Sequence, residues 1–503
     1  YFTALNPTYP YTIELEYEIQ YSGFLALSSW FPLSDYRLGV KEATLTVEYP
    51  LDLPIRFKEK KGEMLKREVT KTEKTERIVW HIDPMRPMES ERMSPRFSEL
   101  VPSVALAPLE FTFDKTDGST ADWETLGRWD YSLQTHDYEL SSATKQLLDQ
   151  LKANCKDQRE LAKKVYQFMQ GRTRYVSIQL GIGGHKPFSP ELVDKVGYGD
   201  CKALSYYTKA LLKYVGIDSE YTIIGVGSRK IEHLDFPSLN QTNHVILCVP
   251  FQPDTVWLEC TSQSAPFNYL FDGTTNRNAL LITSDGGKMV KTPAFNSNVR
   301  SNRAAISLQA NGEVVCNMAT HFKGMFYDNK SGQLKMSDKE LRERTLKESN
   351  ISDIALQQVR ISEQQDVPEL LLEQTFTTRS MASKAGNRLI VELSPFLYIK
   401  PEAKQKSERK TEIDFESTNT WEDEVTLQLP SEYQIEHLPQ GQTIESDFGR
   451  YHSEIAVTAE GISFKRTLTI AKGRYPKERY PDCIAFFNQA SDADQCKVVL
   501  KNK

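Results

Sequence analysis

The chain has 503 residues, more than the roughly 250–300 at which a single hydrophobic core stops growing, so its length predicts about three domains and excludes one compact domain. Its 62 Lys plus Arg and 68 Asp plus Glu give a net charge of -6, which argues against a general nucleic-acid binder. No apolar run approaches the roughly 18–20 residues that cross a bilayer. We therefore expect a soluble globular protein with no transmembrane segment.

The first part of the chain has the alternation of short β-strands. Apolar and polar residues alternate in Tyr11–Gln20 and again in Ala43–Tyr49, with Pro and Gly turns between such runs. The highly charged stretch Lys58–Arg77 is expected to be a solvated hairpin or loop. This pattern predicts an N-terminal β-sandwich-like domain over residues 1–135.

The periodicity becomes helical near Ser141. Apolar spacings of three, four and seven predict two amphipathic helices that end near Gly171. A third helix is predicted over Cys201–Val215, with Asp200 as its N-cap and Gly216 as its C-terminal cap. Three extended segments follow it: Tyr221–Val226, His244–Val249 and Val256–Cys260. Helices before adjacent strands favour a segregated α+β domain over residues 136–295.

Strand patterns dominate the remainder of the chain. One helix is predicted over Asp338–Glu348. We expect residues 296–503 to form a second all-β domain, sandwich or jelly-roll-like. Its predicted strands include Ala304–Leu308, Val314–His321, Leu389–Leu393, Val425–Leu429 and Ile462–Leu468.

The cysteine pattern argues against a disulfide scaffold and a Cys-rich zinc site, because the seven cysteines are odd in number and form no C-x-x-C pair. Cys201 is the candidate with chemistry, because it lies in the first turn of a predicted helix. Unpaired N–H groups and the positive end of the helix dipole favour thiolate there. The alternative interpretation is an inert cysteine that packs in the core.

His244 and Glu259 are the candidate partners of that thiol. They lie on two consecutive predicted strands, and a hairpin with an even-numbered loop puts them on one face, opposite or diagonal. An odd-numbered loop would put them on opposite faces. A carboxylate beside the imidazole would fix its tautomer and stabilise imidazolium. Otherwise His244 is a strand histidine bonded to backbone, and Glu259 is a solvent-facing edge residue.

These segments resemble the transglutaminase-like superfamily, which has a papain-like fold. The three catalytic blocks of that family are similar to Gly199–Lys202, Asn243–Val245 and Trp257–Glu259, in the same order. Flanking segments resemble bacterial members that carry an N-terminal β-domain of unknown function and a C-terminal β-domain. The flanking segments are Ala4–Pro7, Tyr9–Tyr11, the Trp30 region, Arg174–Ile178 and Ala210–Ile217.

The resemblance implies a cysteine mechanism in which Cys201 attacks a carbonyl, His244 shuttles the proton and Glu259 orients the histidine. Water as acceptor gives a protease or amidase acting on a peptide, protein or other amide, and an amine acceptor gives a transglutaminase. The family usually has Asp where this chain has Glu259, so a catalytically inactive binding scaffold is a third alternative. The oxyanion site would combine the Cys201 N–H with the Gln179 side chain or the Tyr198 hydroxyl.

The resemblance also implies an exported bacterial protein of the periplasm or cell envelope, with its signal peptide absent from this chain. No cofactor and no metal are implied. The flanking β-domains are expected to bind protein or glycan partners. The Gly-rich stretch Gly181–Pro187, which contains His185, is interpreted as a surface loop.

Overall fold

The computed structural model describes residues 8–21, 23–227, 229–294, 297–363, 367–393 and 408–503. The segment Ala4–Pro7 lies outside them. The architecture is mixed α/β, rich in sheets, with several separate hydrophobic cores. Within the described ranges, no helix is both long and apolar enough to span a membrane.

The N-terminal part is built on short antiparallel strands. Strands β1, β4 and β3 form a three-stranded sheet, and β2 pairs with β5 and β6 with β7. The fully buried Trp80 ring contacts Phe57 edge-on, and its indole N–H donates to Glu59 Oε1 at 2.7 Å. The elements are β1 Ala43–Pro50, β2 Ile55–Lys60, β3 Leu65–Lys71, β4 Thr75–Ile82, α1 Phe97–Leu100, β5 Ser103–Pro108, β6 Glu110–Phe113, β7 Thr116–Ser119 and α2 Trp123–Leu133.

Two predictions for this part have opposite outcomes. The charged stretch Lys58–Arg77 covers the end of β2, all of β3 and the start of β4, and residues 66–74 are exposed, so the predicted solvated hairpin is present. The strand predicted over Tyr11–Gln20 is wrong, because the segment pairs with no strand among the described residues. Leu15 and Tyr17 on its apolar face are 72% and 73% exposed. Alternation provides two faces, but a strand also needs a neighbour that accepts its backbone hydrogen bonds.

The central part contains one five-stranded antiparallel sheet in the order β12-β11-β10-β13-β14. The predicted helices and strands of this part are present, and α5, β13 and β14 were not predicted. Its elements are α3 Ser142–Asn154, α4 Gln158–Arg172, β8 Arg174–Tyr175, α5 Pro190–Val196, β9 Tyr198–Gly199, α6 Cys201–Tyr214, β10 Glu220–Ile224, β11 His244–Pro250, β12 Thr255–Leu258, β13 Asn278–Thr283 and β14 Gly286–Lys291.

Helix α6 lies at the centre of this part, and all of Cys201–Leu212 is buried. On one side Leu204 and Leu211 pack with α3, α4 and the β11–β12 hairpin. On the other side Cys201 and Tyr206 pack with α2, β10 and β13. Asp200 caps the helix, as predicted, and Gly216 ends it with φ +87°.

Helix α2 corrects the prediction that residues 1–135 are all-β. Its N-cap Asp122 accepts the Thr125 N–H at 2.7 Å, and its Trp123, Leu126 and Trp129 are buried. The helix packs on β13 and β14 so closely that a Cβ at Gly127 would lie 2.1 Å from the Gly287 nitrogen. The buried residues Trp123, Leu126, Trp129 and Leu133 recur at spacings of three and four, which is a helical periodicity. It was overlooked because the surrounding sequence has strand patterns.

The C-terminal part combines an eight-stranded sheet, β17-β18-β16-β15-β22-β26-β25-β24, with a four-stranded sheet, β19-β20-β28-β23. Side chains from both sheets share one core. The elements are β15 Val299–Leu308, β16 Val314–Lys323, α7 Met325–Ser331, α8 Asp338–Glu348, β17 Ala355–Glu363, β18 Glu369–Thr378, β19 Ala382–Ala385, β20 Arg388–Glu392, β21 Ile413–Phe415, β22 Asn419–Gln428, β23 Tyr433–His437, β24 Thr443–Ser446, β25 Gly449–Thr458, β26 Gly461–Ile470, β27 Gly473–Tyr475, α9 Tyr480–Asp494 and β28 Lys497–Asn502.

The predicted helix α8 is confirmed at its predicted bounds, with Ser337 and Glu340 forming a capping box. Helix α9 was not predicted, so residues 296–503 are not all-β. It is attached to the large sheet by a buried ion network. Arg466, 2% exposed, pairs with Asp423 and with Asp494 of α9, whose Oδ1 also accepts the Tyr451 hydroxyl at 2.9 Å. One cation therefore compensates two buried carboxylates.

We expect Arg466→Met to lower the free energy of unfolding by about 3–5 kcal/mol, because it leaves Asp423 and Asp494 buried without their cation. Urea denaturation at neutral pH, followed by circular dichroism, measures the change. Arg303→Met is the matched control, because Arg303 pairs with Glu424 on the same sheet but is 81% exposed, and its loss should cost less than about 1 kcal/mol. Equal losses in the two variants would show that the buried network does not stabilise this part.

Candidate active site

Cys201 is the first residue of α6. The capping Asp200 Oδ1 accepts the Ala203 N–H at 3.0 Å, which fixes where the helix begins. Gly199 precedes it in a tight approach, since a Cβ there would lie 2.7 Å from the Ala203 Cβ. The Cys201 sulfur thus lies at a helix N-terminus, where backbone N–H groups point outward and favour negative charge. The residue is only 5% exposed.

His244 and Glu259 lie on the β11–β12 hairpin in the predicted register. Leu247 pairs with Leu258 and Pro250 with Thr255, which leaves the four-residue loop 251–254. The hairpin loop is even-numbered, so His244 and Glu259 are diagonal neighbours on one face. His244 Nε2 lies 2.9 Å from Glu259 Oε2 and 3.2 Å from Oε1.

Glu259 is held from two directions. Its Oε1 accepts the Thr261 hydroxyl at 2.5 Å and the Thr261 N–H at 3.1 Å, and the Tyr166 hydroxyl donates to its main-chain carbonyl at 2.8 Å. Burial opposes ionisation, but His244 and the Thr261 donors hold the pKa of the Glu259 carboxyl below its usual range. Glu259 follows the last ladder residue, Leu258, so its backbone is free of strand pairing. A side chain one methylene longer than Asp is accommodated there.

Cys201 is the other polar neighbour that acts on the His244 ring. Because Nε2 is engaged by Glu259, Nδ1 is the ring nitrogen that remains unengaged by the carboxylate. Burial disfavours imidazolium, but the Glu259 carboxylate and the neighbouring Cys201 outweigh it and raise the pKa of His244 to about 10. A protonated imidazole beside sulfur is the arrangement that favours thiolate over thiol.

The two oxyanion candidates are not brought to Cys201 by any hydrogen bond of the described residues. Gln179 is exposed, in the segment before the turn Gly181–Gly184. The Arg174 guanidinium lies over the Tyr198 ring, with its Cζ 5.8 Å from the ring centroid. Their contribution to an oxyanion site stays a prediction.

Four neighbours of the site were not assigned to it from the sequence. Lys202 is buried and pairs with Asp200. It also faces Asp130 of α2, whose pKa burial raises to about 7 against the attraction of Lys202. Thr261 could have been assigned to the site from the sequence, because its hydroxyl follows a candidate carboxylate by two residues. Asp130 could not, because the helix α2 that carries it was not predicted.

The fourth neighbour is His185, in the stretch interpreted as a surface loop. Its ring packs edge-on to Phe113 with centroids 5.6 Å apart, and 5.9 Å from Trp129. Burial and the Lys202 charge lower its pKa to about 4, so the ring is neutral. His185 thus packs against the N-terminal part and close to the residue that follows Cys201. Among the described residues, no group of three His, Cys, Asp or Glu side chains is placed to hold a metal ion.

Comparison with known proteins gives a shared fold and a family model that matches one segment of the chain. Residues 387–500 match a domain of unknown function with solved structure, DUF3858. No curated protein matches the chain. The crystal structure of a protein from Parabacteroides distasonis, described as a "putative protease", is 12% identical with a TM-score of 0.56 over 92% of this chain and 73% of that one. A Cytophaga hutchinsonii protein described as a "putative cysteine protease" is 10% identical with a TM-score of 0.19, over 44% of this chain and 72% of that one. The chain shares the fold of the Parabacteroides protein.

Proposed function

We propose that the protein is a cysteine hydrolase of the transglutaminase-like fold, a protease or amidase that uses Cys201, His244 and Glu259. The observation that carries this proposal is the position of His244, which is hydrogen-bonded to the buried Glu259 and has Cys201, at a helix N-terminus, as the other neighbour that raises its pKa. The fold shared with the Parabacteroides protein, described as a "putative protease", is consistent with it.

In the proposed reaction the Cys201 thiolate attacks the carbonyl carbon of an amide, and the C=O π electrons pass to the oxygen. The tetrahedral intermediate collapses when imidazolium of His244 gives its proton to the departing amine, which leaves a thioester on Cys201. Water then attacks the thioester while neutral His244 takes its proton. The products are an amine, a carboxylic acid and the restored thiolate–imidazolium pair.

Each partner of Cys201 has one task in this scheme. Glu259, fixed by Thr261, orients the imidazole and stabilises its charge, which is the role of the acid in a Cys-His-acid triad. The Cys201 N–H donates to the oxyanion, with Gln179 or Tyr198 as the proposed second donor. The substrate is a peptide, protein or other amide, and no cofactor takes part.

The same proposal includes the organisation and location of the protein. Residues 1–135 and 296–503 act as domains that flank the catalytic residues 136–295 and bind protein or glycan partners. The protein is exported to the periplasm or cell envelope. A thiol there persists as long as no second cysteine reaches it.

We expect Cys201 to react with iodoacetamide at about pH 6 about tenfold or more faster in the parent than in His244→Ala, because removal of the imidazolium takes away the cation that favours thiolate over thiol. The measurement is the rate of alkylation of the Cys201 peptide by mass spectrometry. The partly exposed Cys155 and Cys496 serve as internal controls with unchanged rates. Equal alkylation rates of Cys201 in the two proteins would show that His244 does not activate its thiol.

Glu259→Gln should lower the pKa of His244 toward about 6.5, because the carboxylate is what stabilises the imidazolium against burial. The His244 ring then loses its proton at a lower pH than in the parent, which an NMR titration of the ring resonances measures. Thr261→Val should shift the pKa in the same direction by less, and Thr261→Ser should restore it. An unchanged titration in Glu259→Gln would show that Glu259 does not hold the imidazolium.

We expect the parent to cleave members of a mixed synthetic peptide library, with ¹⁸O from labelled water in the new carboxyl groups, and Cys201→Ala to cleave none. Mass spectrometry of the products measures both. Incorporation of an added primary amine into a glutamine peptide would instead indicate a transglutaminase. Identical behaviour of parent and Cys201→Ala would indicate a binding scaffold.

A further inference from the structure

A second feature of the molecule is a polar cavity of about 890 Å³ where three parts of the chain meet. Arg96 comes from the N-terminal part, Lys230 and Arg277 come from the central part, and Glu416 and Lys472 come from the C-terminal part. None of these residues belongs to the proposed catalytic site. Charged side chains make up much of its lining, which raises the question of how their charges are compensated.

Several of the lining charges are paired within the protein. Arg96 binds Glu416 through two nitrogens at 2.7 and 3.0 Å. Glu99 accepts from Arg474 at 3.1 Å, and Glu232 pairs with Lys60. These pairs contribute no net charge to the cavity.

Arg277 and Lys230 are different. Arg277 is 8% exposed, and its Nη1 donates to the carbonyls of Gly225, Gly227 and Arg229 at 3.1–3.3 Å, but it forms no ion pair with a described carboxylate. Lys230 likewise forms no ion pair among the described residues. Both cations are desolvated, and the charges of Arg96 and of its partner Glu416 lie close to both. A cation removed from water without a counter-ion is costly.

The carboxylates that remain unpaired do not cancel this charge. Asp414 lies among Glu99, Glu412 and Glu416 at another corner, where burial and these neighbours raise its pKa in spite of Arg474. Arg277 is attracted by Glu416, which is paired with Arg96, and by Asp272, which is exposed. Lys230 is attracted by Glu416 and by Glu232, which is paired with Lys60. Among the described carboxylates that attract Lys230 and Arg277, Asp272 alone forms no ion pair, so these two cations exceed it by one charge.

This corner lies at the end of the central sheet where His244 begins its strand. His244 pairs with Ile224 on β10, and Ile224 pairs with Ala279 on β13, which directly follows Arg277 and Asn278. Neighbouring strands are about 4.8 Å apart, so the backbones of His244 and Ala279 are separated by about 10 Å. An extended peptide covers that distance in about three residues.

We propose that the corner formed by Arg96, Lys230 and Arg277 binds a carboxylate of the substrate, about three to four residues from the bond that Cys201 attacks. This rests on the proposed hydrolase function and names its substrate class, an acidic peptide. The carboxylate is either an Asp or Glu side chain or a free C-terminus, since both present the same two oxygens to a cation.

The test uses Cys201→Ala, so that binding is measured without cleavage. A random synthetic peptide library, one half with free and one half with amidated C-termini, is equilibrated with the protein, and retained peptides are sequenced. We expect enrichment of Asp or Glu at one position, or of free C-termini only, which distinguishes the two sources. The enriched peptide should bind about fivefold to tenfold more weakly when Lys230→Gln is added, and its Glu→Gln or amidated analogue should not respond to that substitution.

Lys230→Arg should retain the preference, and Lys288→Gln is the control, because it removes an exposed lysine of the edge strand β14 that pairs with Leu281, away from the start of β13 beside Arg277. Raised salt should weaken binding of the acidic peptide. Retained peptides without an acidic group, no retained peptides, or an equal loss for the acidic and neutral peptides in Lys230→Gln would overturn the inference. If the parent cleaves peptides without a preference for acidic ones, the proposed carboxylate site is wrong and the proposed hydrolase function stands. If acidic peptides bind but Cys201 is unreactive, the carboxylate site stands and the hydrolase function is wrong.

Discussion

Burial of α6 on every side is the constraint on which the rest of the structure depends. A helix whose residues Cys201–Leu212 are all buried has no solvent-facing stripe, so other elements must cover it all round. Helices α3 and α4 cover one side, and α2 with the sheet strands β10 and β13 covers the other. Cys201 lies at the capped N-terminus of this helix, where backbone N–H groups without helical partners favour negative charge.

The same burial determines the electrostatics of the site. A carboxylate as buried as Glu259, which is 4% exposed, is stable only with charged or hydrogen-bonding partners. His244 and Thr261 supply them, and the imidazole in turn acquires a raised pKa. In the proposed mechanism structural need and chemical use coincide, since the imidazolium charge that compensates Glu259 is the charge proposed to stabilise the Cys201 thiolate. Arg466 in the C-terminal part solves the same problem for two carboxylates without any reactive neighbour.

Much of the site was predictable, because it rests on local patterns. The cap at Asp200 and the apolar stripe that follows it place Cys201 at a helix start, and the parity of one hairpin loop puts His244 and Glu259 on one face. The predicted bounds of α8 match the structure, where Ser337 and Glu340 form a capping box at its start. In each case the determining contact lies within about four residues or across a short hairpin.

What was missed depends on contacts between distant segments. Helix α2 is fixed by the approach of Gly127 to Gly287, 160 residues apart, and no local window contains that contact. The strand predicted over Tyr11–Gln20 failed for the converse reason, since its alternation is local but a pairing partner is not.

The position of His185 against Phe113 and Trp129 likewise joins segments that are separated in sequence. The contacts of Gly127 with Gly287 and of His185 with Phe113 and Trp129 bring the N-terminal part to the face of α6 that carries Cys201. Arg96 Nη1 also donates to the Gly227 carbonyl at 3.1 Å, so the N-terminal part contacts the segment that follows β10 as well. In the proposed function, a substrate reaches the sulfur past a surface to which the N-terminal part contributes, so coverage of α6 and the proposed substrate selection depend on one packing arrangement.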